Sequence, residues 1–257
     1  MRRDVQHLRT FYGGPLGRAT IGVLGDKLAE AWGSVRGLDV LGVGYATPFL
    51  EPFRVDARRV VAAMPAGQGV DRWPASGANL ACLSADLALP FQNALFDRVL
   101  LTHALEESDD PTALLSEVKR VLAPSGRLIA VVANRSGPWA RTEATPFGYG
   151  RPFSRTQLEE AVRDAGLEPT AWSRCLYLPP HTVFAPYADP FEQVGAKLWT
   201  PISGLILMEA VKQTFAVKPR GAVAPALRRA KALNPVPVGV GAHSSPLPMR
   251  EREGPIA

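Results

Sequence analysis

The sequence predicts an α/β protein built on a mainly parallel sheet, and three observations carry that prediction. Short apolar runs of strand length recur between residues 37 and 135 without the polar alternation of a half-exposed strand, as expected where both faces of a sheet are covered. Connections separate these runs, and the longer ones hold helices with their own start and stop residues. The composition, 46% hydrophobic and 21% charged over 257 residues, suits one sizeable core with an appendage.

The elements follow in order. Leu16, Ile21, Leu24, Leu28 and Trp32 recur near a 3.6 period, so Pro15 to Trp32 reads as an amphipathic helix within an N-terminal helical lead, residues 1–36. "GLDVLGVG" then stops at glycine as a buried parallel strand does, "ARRVVAAMP" repeats the pattern, and "NLACLSAD" and "FDRVLLTHAL" supply a third and fourth strand. In "DDPTALLSEVKRVLAPSG", Asp110 is an N-cap, Pro111 fits the first helical position, Leu114, Leu115, Val118, Val121 and Leu122 form the buried stripe, and "PSG" is expected to end the helix. "RLIAVVAN" is a fifth strand. "SRTQLEEAVRDAGLEP" is a helix that starts after Ser154 and closes at Gly166, and strands near 171–178 and 205–214 complete a seven-stranded sheet. The core is thus expected over 37–178. Residues 179–217 hold an aromatic, proline-rich lid and the final strand, and 218–257 read as a disordered basic tail rich in proline.

Charge and cysteine content exclude several classes of function. The formal charge of +5 resides in the tail, where Lys218, Arg220, Arg228, Arg229, Lys231, Arg250 and Arg252 face only Glu251 and Glu253. Residues 1–217 are neutral, which argues against a nucleic-acid surface on the folded part. Cys82 and Cys175 are far apart and outside any metal-ligand spacing, so neither zinc nor a disulfide framework is expected, and a reducing cytoplasmic setting is. The N-terminus lacks an apolar signal run, and "ISGLILMEAV" is far short of a membrane span. Oligomeric state leaves no trace in the pattern.

The pieces also occur in a particular order. After "GLDVLGVGYA" comes "SADLALPFQNALFDRVLLTHALEESDDPTALLSEVKRVLAPSGRLIAVVANR". This block closely resembles the class I S-adenosylmethionine-dependent methyltransferases, in particular the type 11 group that includes the ubiquinone/menaquinone C-methyltransferases. "RPFSRTQLEEAVRDAGLEP" is similar to a later helix of the same family. The resemblance implies a Rossmann-like class I methyltransferase fold, S-adenosylmethionine as cofactor and methyl transfer to a small-molecule acceptor. Gly42, Gly44 and Ala46 would form the turn that a nucleoside approaches, Asp86 would accept from the adenine amino group, and Met64 occupies the position of the ribose-binding residue. His103, just past the fourth strand, is by its own chemistry a candidate either for a base or for a hydrogen bond beside the cofactor. Trp73, Trp139, Tyr12 and Tyr149 are candidate pocket aromatics.

The sequence departs from the family at two acids. Val40 stands two residues before the first glycine, where a carboxylate is usual, and Asp39 is one place early, which turns it to the other face of the strand. Met64 stands where a carboxylate usually holds both ribose hydroxyls; Gln68 or Asp71 replaces it if the loop folds back. Each lost charge-assisted hydrogen bond costs about 1.5–3 kcal/mol of affinity. Two readings follow: an active methyltransferase with an altered cofactor pocket, or a catalytically inactive methyltransferase-like binding or regulatory module. A nicotinamide dehydrogenase fits the sequence less well: Thr47 stands where its third turn glycine would be, the ribose acid is absent, and "LPF...FD" and "RVLAPSG" have no counterpart there.

Overall fold

A computed structural model of the chain describes residues 3–212. Seven strands, β1 (Asp39–Gly44), β2 (Arg59–Pro65), β3 (Ala81–Ser84), β4 (Phe96–Thr102), β5 (Leu122–Ala133), β6 (Leu167–Cys175) and β7 (Leu205–Lys212), form one sheet in the order β3-β2-β1-β4-β5-β7-β6. The first five pair in parallel, and β7 runs antiparallel to both β5 and β6. The strand order reverses between β1 and β4. Their carboxyl ends therefore diverge from neighbouring connections and leave the crevice in which open α/β sheets bind ligands.

Period-two alternation divides the core into two layers. Val40, Ala62, Leu100, Ile129 and Val131 pack with Leu16, Leu24, Leu28 and Trp32 of α2 (Pro15–Trp32) and with Val5, Leu8 and Tyr12 of α1 (Val5–Gly13). Leu41, Val43, Val99, Leu101, Leu128 and Ala130 pack on the other side with α4 (Pro111–Val121) and α5 (Arg155–Asp164). Ile21, expected in the α2 stripe, is only half-buried, and Thr20 and Val23 take its place. α3 (Thr47–Leu50) is a single turn after β1, and α6 (Ala188–Leu198) occupies the connection between β6 and β7.

The predicted caps form. Asp110 accepts from the Ala113 N–H at 2.9 Å with Pro111 at the first helical position, and Ser154 and Gln157 make a reciprocal capping box. "PSG" does not end α4 through a glycine cap, however. Leu122 is already extended and opens β5, while the last-turn carbonyls of Arg120 and Val121 accept from the N–H groups of Ala94 and Leu95, the residues leading into β4. The neighbouring strand satisfies the helix end, so no left-handed cap is needed.

Arg120 explains two segments that the sequence places far apart. Its guanidinium donates to the carbonyls of Leu89 and Phe91 at 2.9 and 2.8 Å and to Asn93 Oδ1 at 2.7 Å, and it pairs with Glu117, which also accepts from the Leu89 N–H. The turn in "LPFQN" is thus fixed from α4, and with it the chain that follows β3. No helix among the described residues is long and apolar enough to cross a membrane, and the basic tail lies outside the described residues.

A single ammonium cannot reproduce this fork of donors. Arg120→Lys is expected to lower stability by about 2 kcal/mol, because part-buried carbonyls lose their partners. Arg36→Lys, at an exposed ion pair with Asp56 spanning 3.8 Å, should change it by less than about 0.5 kcal/mol. Urea unfolding of the two variants makes the comparison.

Candidate functional site at the carboxyl ends of the strands

β1 stops at Gly44, whose φ of +87° is a left-handed conformation natural to glycine. A Cβ there would lie 2.0 Å from the Thr102 carbonyl oxygen, and the next N–H, of Tyr45, donates to that same oxygen at 3.0 Å. Gly42 faces protein as well: a Cβ would meet Ala46 Cβ at 2.5 Å and Leu50 at 2.6 Å. The two glycines therefore let β4 and α3 close against β1, and Ala46 is fully buried in that contact. Pro48 sits in the first turn of α3, where its missing N–H costs nothing.

The remaining predicted residues gather at the same end of the sheet. Met64 ends β2 fully buried, and the loop after it does fold back, so that the Asp71 N–H points at Met64 Sδ across 3.5 Å. Gln68 in that loop is 2% exposed, and neither atom of its side-chain amide has a partner among the described residues. Asp71 pairs with Arg9 at 3.3 Å. Asp86 occupies the tight turn closed by pairing of Ala85 with Ala88, just past β3 and beside the segment that Arg120 holds. Asp39 is not part of this group. It begins β1 at the opposite end, where Arg58 donates to both its oxygens and holds its carboxyl below the usual carboxylate range. Val40 packs in the α2 layer.

His103 follows β4 directly with φ +51°, an uncommon conformation for a side-chain-bearing residue and one that recurs at functional sites. It is 2% exposed. Its Nε2 lies 2.7 Å from the Tyr12 hydroxyl, and its ring packs on Phe147 at 4.5 Å between centroids. Burial pulls its pKa down to about 3 and raises that of Tyr12 well above the ordinary value. Both are neutral near pH 7, and the His103 tautomer decides which of them donates.

α1 covers the glycine turn, a role the sequence reading did not assign to it. Val5, Leu8 and Tyr12 recur at helical spacing on its inner face. The helix is tied down by the Val5 N–H donating to the Gln68 carbonyl at 2.9 Å, by Arg9–Asp71, and by Tyr12, which stacks on Tyr45 at 5.6 Å and meets Phe11, Phe49 and His103 edge-on. Burial pushes Tyr45 up to about 12. Of the four candidate pocket aromatics, Tyr12 and Trp139 join this cluster, Trp139 through Phe147. Trp73 lies in the loop after β2 beneath Arg54, and Tyr149 lies beneath Arg3. The aromatic segment expected as a lid packs against α2 and β6, with Tyr177 against Gly195.

The sequence assigns Glu106 no role, although it lies in the block that resembles the methyltransferases. It is 5% exposed, with Oε1 accepting from the Ala133 N–H at 3.0 Å at the end of β5 and Oε2 without a partner. Its backbone carbonyl accepts from Arg151, and a Cβ on Gly150 would meet that carbonyl oxygen at 2.4 Å. Burial pushes its carboxyl up to about 7. Two cavities lie elsewhere, one of about 270 Å³ between α2 and the β5-β7-β6 face and one of about 590 Å³ around the first halves of β2 and β3. Neither is lined by the left-handed histidine or by the unpartnered buried groups at the strand-order switch, Gln68 and Glu106.

Comparison with known proteins agrees with this topology. Residues 28–130 match the sequence model of a methyltransferase domain family. Uncharacterized proteins of Mycobacterium tuberculosis and Mycobacterium bovis are 31% identical over 100 residues, which is 36% of this chain and 35% of theirs, so the match spans about a third of the length of these relatives. Among solved structures, a methyltransferase of Thermotoga maritima, described as S-adenosylmethionine-dependent and as a possible histamine N-methyltransferase, superposes with a TM-score of 0.56 at 17% identity, over 81% of this chain and 96% of its own. The 1,6-didemethyltoxoflavin-N1-methyltransferase of Burkholderia thailandensis, solved with bound 1,6-didemethyltoxoflavin and S-adenosylhomocysteine, gives 0.50 at 20%, over 78% and 79%. At these identities the likeness of the solved structures is one of fold.

His103 and Glu106 predict a specific dependence of stability on pH. His103 takes a proton in the unfolded chain near 6.5 but not in the fold until about 3, so its contribution is full above 6.5 and is lost as pH falls toward 3. Glu106 binds its proton in the fold up to about 7 but in the unfolded chain only to about 4.5, so its contribution is full below 4.5 and is lost as pH rises through 7. The two slopes oppose each other between these limits. Glu106→Gln removes one of them, so the variant's stability should rise with pH relative to the parent from 4.5 to 7, by up to about 1.4 kcal/mol per pH unit. Urea unfolding at closely spaced pH values reads the difference; parallel profiles would place Glu106 in water.

Proposed function

We propose that this chain, a member of the class I S-adenosylmethionine-dependent methyltransferases, binds S-adenosylmethionine at the carboxyl ends of β1 to β4 and transfers its methyl group to a small-molecule acceptor. The observation that carries the reading is the grouping at the strand-order switch of the Gly42–Ala46 turn, the Asp86 turn and the buried Gln68 amide, whose donors and acceptor have no partner among the described residues. A buried amide without partners costs several kcal/mol unless something polar meets it, and an adenosine ribose has hydroxyls that can donate and accept.

The fit is consistent with the substitutions at residues 40 and 64. Met64 supplies no carboxylate, but the loop that follows it brings Gln68 and Asp71 back to the end of β2. When bound, the cofactor supplies a methyl carbon on a positively charged sulfur. The chain's part is to hold the acceptor in line with that carbon and to exclude water, and alignment contributes much of the rate in such displacements. The aromatic faces of Tyr45, Phe49, Phe147 and Tyr12 suit a cation in a dry site.

Tyr12 occupies the middle of that cluster, so α1 acts as the cover that moves to admit ligand and closes over it. No observation on the molecule favours the inactive binding module over this reading.

Calorimetric titration of the full chain with S-adenosylmethionine and S-adenosylhomocysteine tests it. Both should bind, and Asp86→Ala and Gln68→Ala should each weaken binding about tenfold. Tyr12→Ala should raise the association rate in stopped-flow mixing, because the cover no longer has to open first. Absence of both heat and thermal shift at millimolar ligand would sink the proposal. Gly44→Val is a poor probe, because its side chain would strike the Thr102 carbonyl and damage the fold itself.

A further inference from the structure

We propose that the cavity around the first halves of β2 and β3 is a second ligand site. It takes a small organic phosphate whose apolar body lies on the strands and whose phosphate group meets Arg59, Arg58 and Arg54. The site lies at the opposite end of the sheet from the methyl-transfer crevice and does not depend on that reading.

The cavity exists because two strands lack cover. On their α4 side, β4 and β5 are closed by α4 and α5, but the connection from β3 to β4, residues 85–95, contains no helix. Val61 of β2, Cys82 of β3 and Phe91 of that connection are therefore only partly buried. They form an apolar wall in a cavity of about 590 Å³, a volume within the range of small-molecule sites. The wall is firm at Phe91, whose ring meets Phe96 edge-on at 5.0 Å and whose carbonyl accepts from Arg120 at 2.8 Å.

The charge at the cavity has one sign. Arg54, Arg58 and Arg59 line it, and no carboxylate does. Two of the three are positioned by acids outside it. Arg58 gives Nε and Nη2 to Asp39, which leaves Nη1, and Arg54 gives Nη1 to Glu51 while its guanidinium lies over the ring of Trp73. The Arg59 side chain has neither a hydrogen bond nor an ion pair among the described residues, so it is the excess positive charge and keeps all its donors. A carboxylate would be satisfied by a single guanidinium fork. A phosphate offers three oxygens and up to two charges, so it can meet Arg59 and the spare donors of Arg58 and Arg54 together. An apolar body attached to it removes the wall of Val61, Cys82 and Phe91 from water, a gain that inorganic phosphate cannot make.

Calorimetry on the full chain tests the inference with naphthyl phosphate, naphthol and inorganic phosphate as probes. Naphthyl phosphate should bind at least about tenfold more tightly than either of the others, and Arg59→Gln should weaken it about tenfold. Its affinity should be the same with and without S-adenosylhomocysteine. A readout on the unmodified protein comes from the cysteines, since Cys82 lies in the wall and Cys175 is fully buried. Iodoacetamide should alkylate Cys82 alone, and naphthyl phosphate at about ten times its Kd should slow that reaction about tenfold. Naphthol or inorganic phosphate binding as tightly, an undiminished affinity in Arg59→Gln, or competition with S-adenosylhomocysteine would each overturn the inference. So would unslowed alkylation of Cys82, or naphthyl phosphate that fails to bind at millimolar concentration.

Discussion

The carbonyl oxygen of Thr102 lies where the side chain of residue 44 would be, and the arrangement of the whole site follows from that contact. It brings the end of β1 against the end of β4 at the one place where the strand order reverses. Because the Tyr45 N–H donates to the same oxygen, the ring of Tyr45 leaves the sheet at a fixed angle and offers a face on which Tyr12 stacks. Because Thr102 is held, His103 must turn at once, and it does so through a left-handed backbone conformation that carries its ring to the Tyr12 hydroxyl. One backbone contact thus positions the two groups that hold Tyr12 of α1. The same contact is why Gly44 answers to the architecture of the sheet before it answers to any ligand.

Features of this fold that depend on near neighbours in the chain are legible in the sequence. Asp110–Pro111 and Ser154–Gln157 announce helix starts because a cap is satisfied within three residues, and the five parallel strands announce themselves because burial on both faces forces unbroken apolar runs. The end of α4 is misread for the complementary reason. "PSG" has the composition of a stop, yet the carbonyls it would have capped are taken by Ala94 and Leu95 from another element. α1 lies within the expected N-terminal helical lead, but its covering role goes unrecognised because its three inward residues are spread through a polar nine-residue segment whose partners lie elsewhere, Tyr45 and His103 among them.

The candidate site shows the same division. The positions of Gly42, Gly44, Asp86 and His103 at one end of the sheet follow from strand boundaries, so sequence order suffices to group them. What each faces does not follow. The sequence cannot say that Ala46 and Leu50 fill the space beside Gly42, or that the loop beyond Met64 doubles back to bury Gln68. Glu106 is the clearest case: the sequence assigns it no role, and only the closing of residues 150 and 151 over its backbone and of β5 against its carboxyl reveals a buried group.

Closure by α1 changes the electrostatics that the site can use. With Tyr12 in place, the groups at the switch are removed from water, and any charge brought among them interacts more strongly than it would at a surface. Met64 brings no carboxylate to the end of β2, but the loop beyond it returns Asp71 there and Asp86 follows β3, so the carboxylates at this end of the sheet come from its connections, Glu106 among them. On the methyl-transfer reading, the donor brought into this chamber carries a positive charge that the ring faces of Tyr12, Tyr45, Phe49 and Phe147 favour. That charge is lost as the methyl group leaves, so the same rings hold the spent cofactor less tightly than the charged one, and the product is the easier of the two to release when α1 opens.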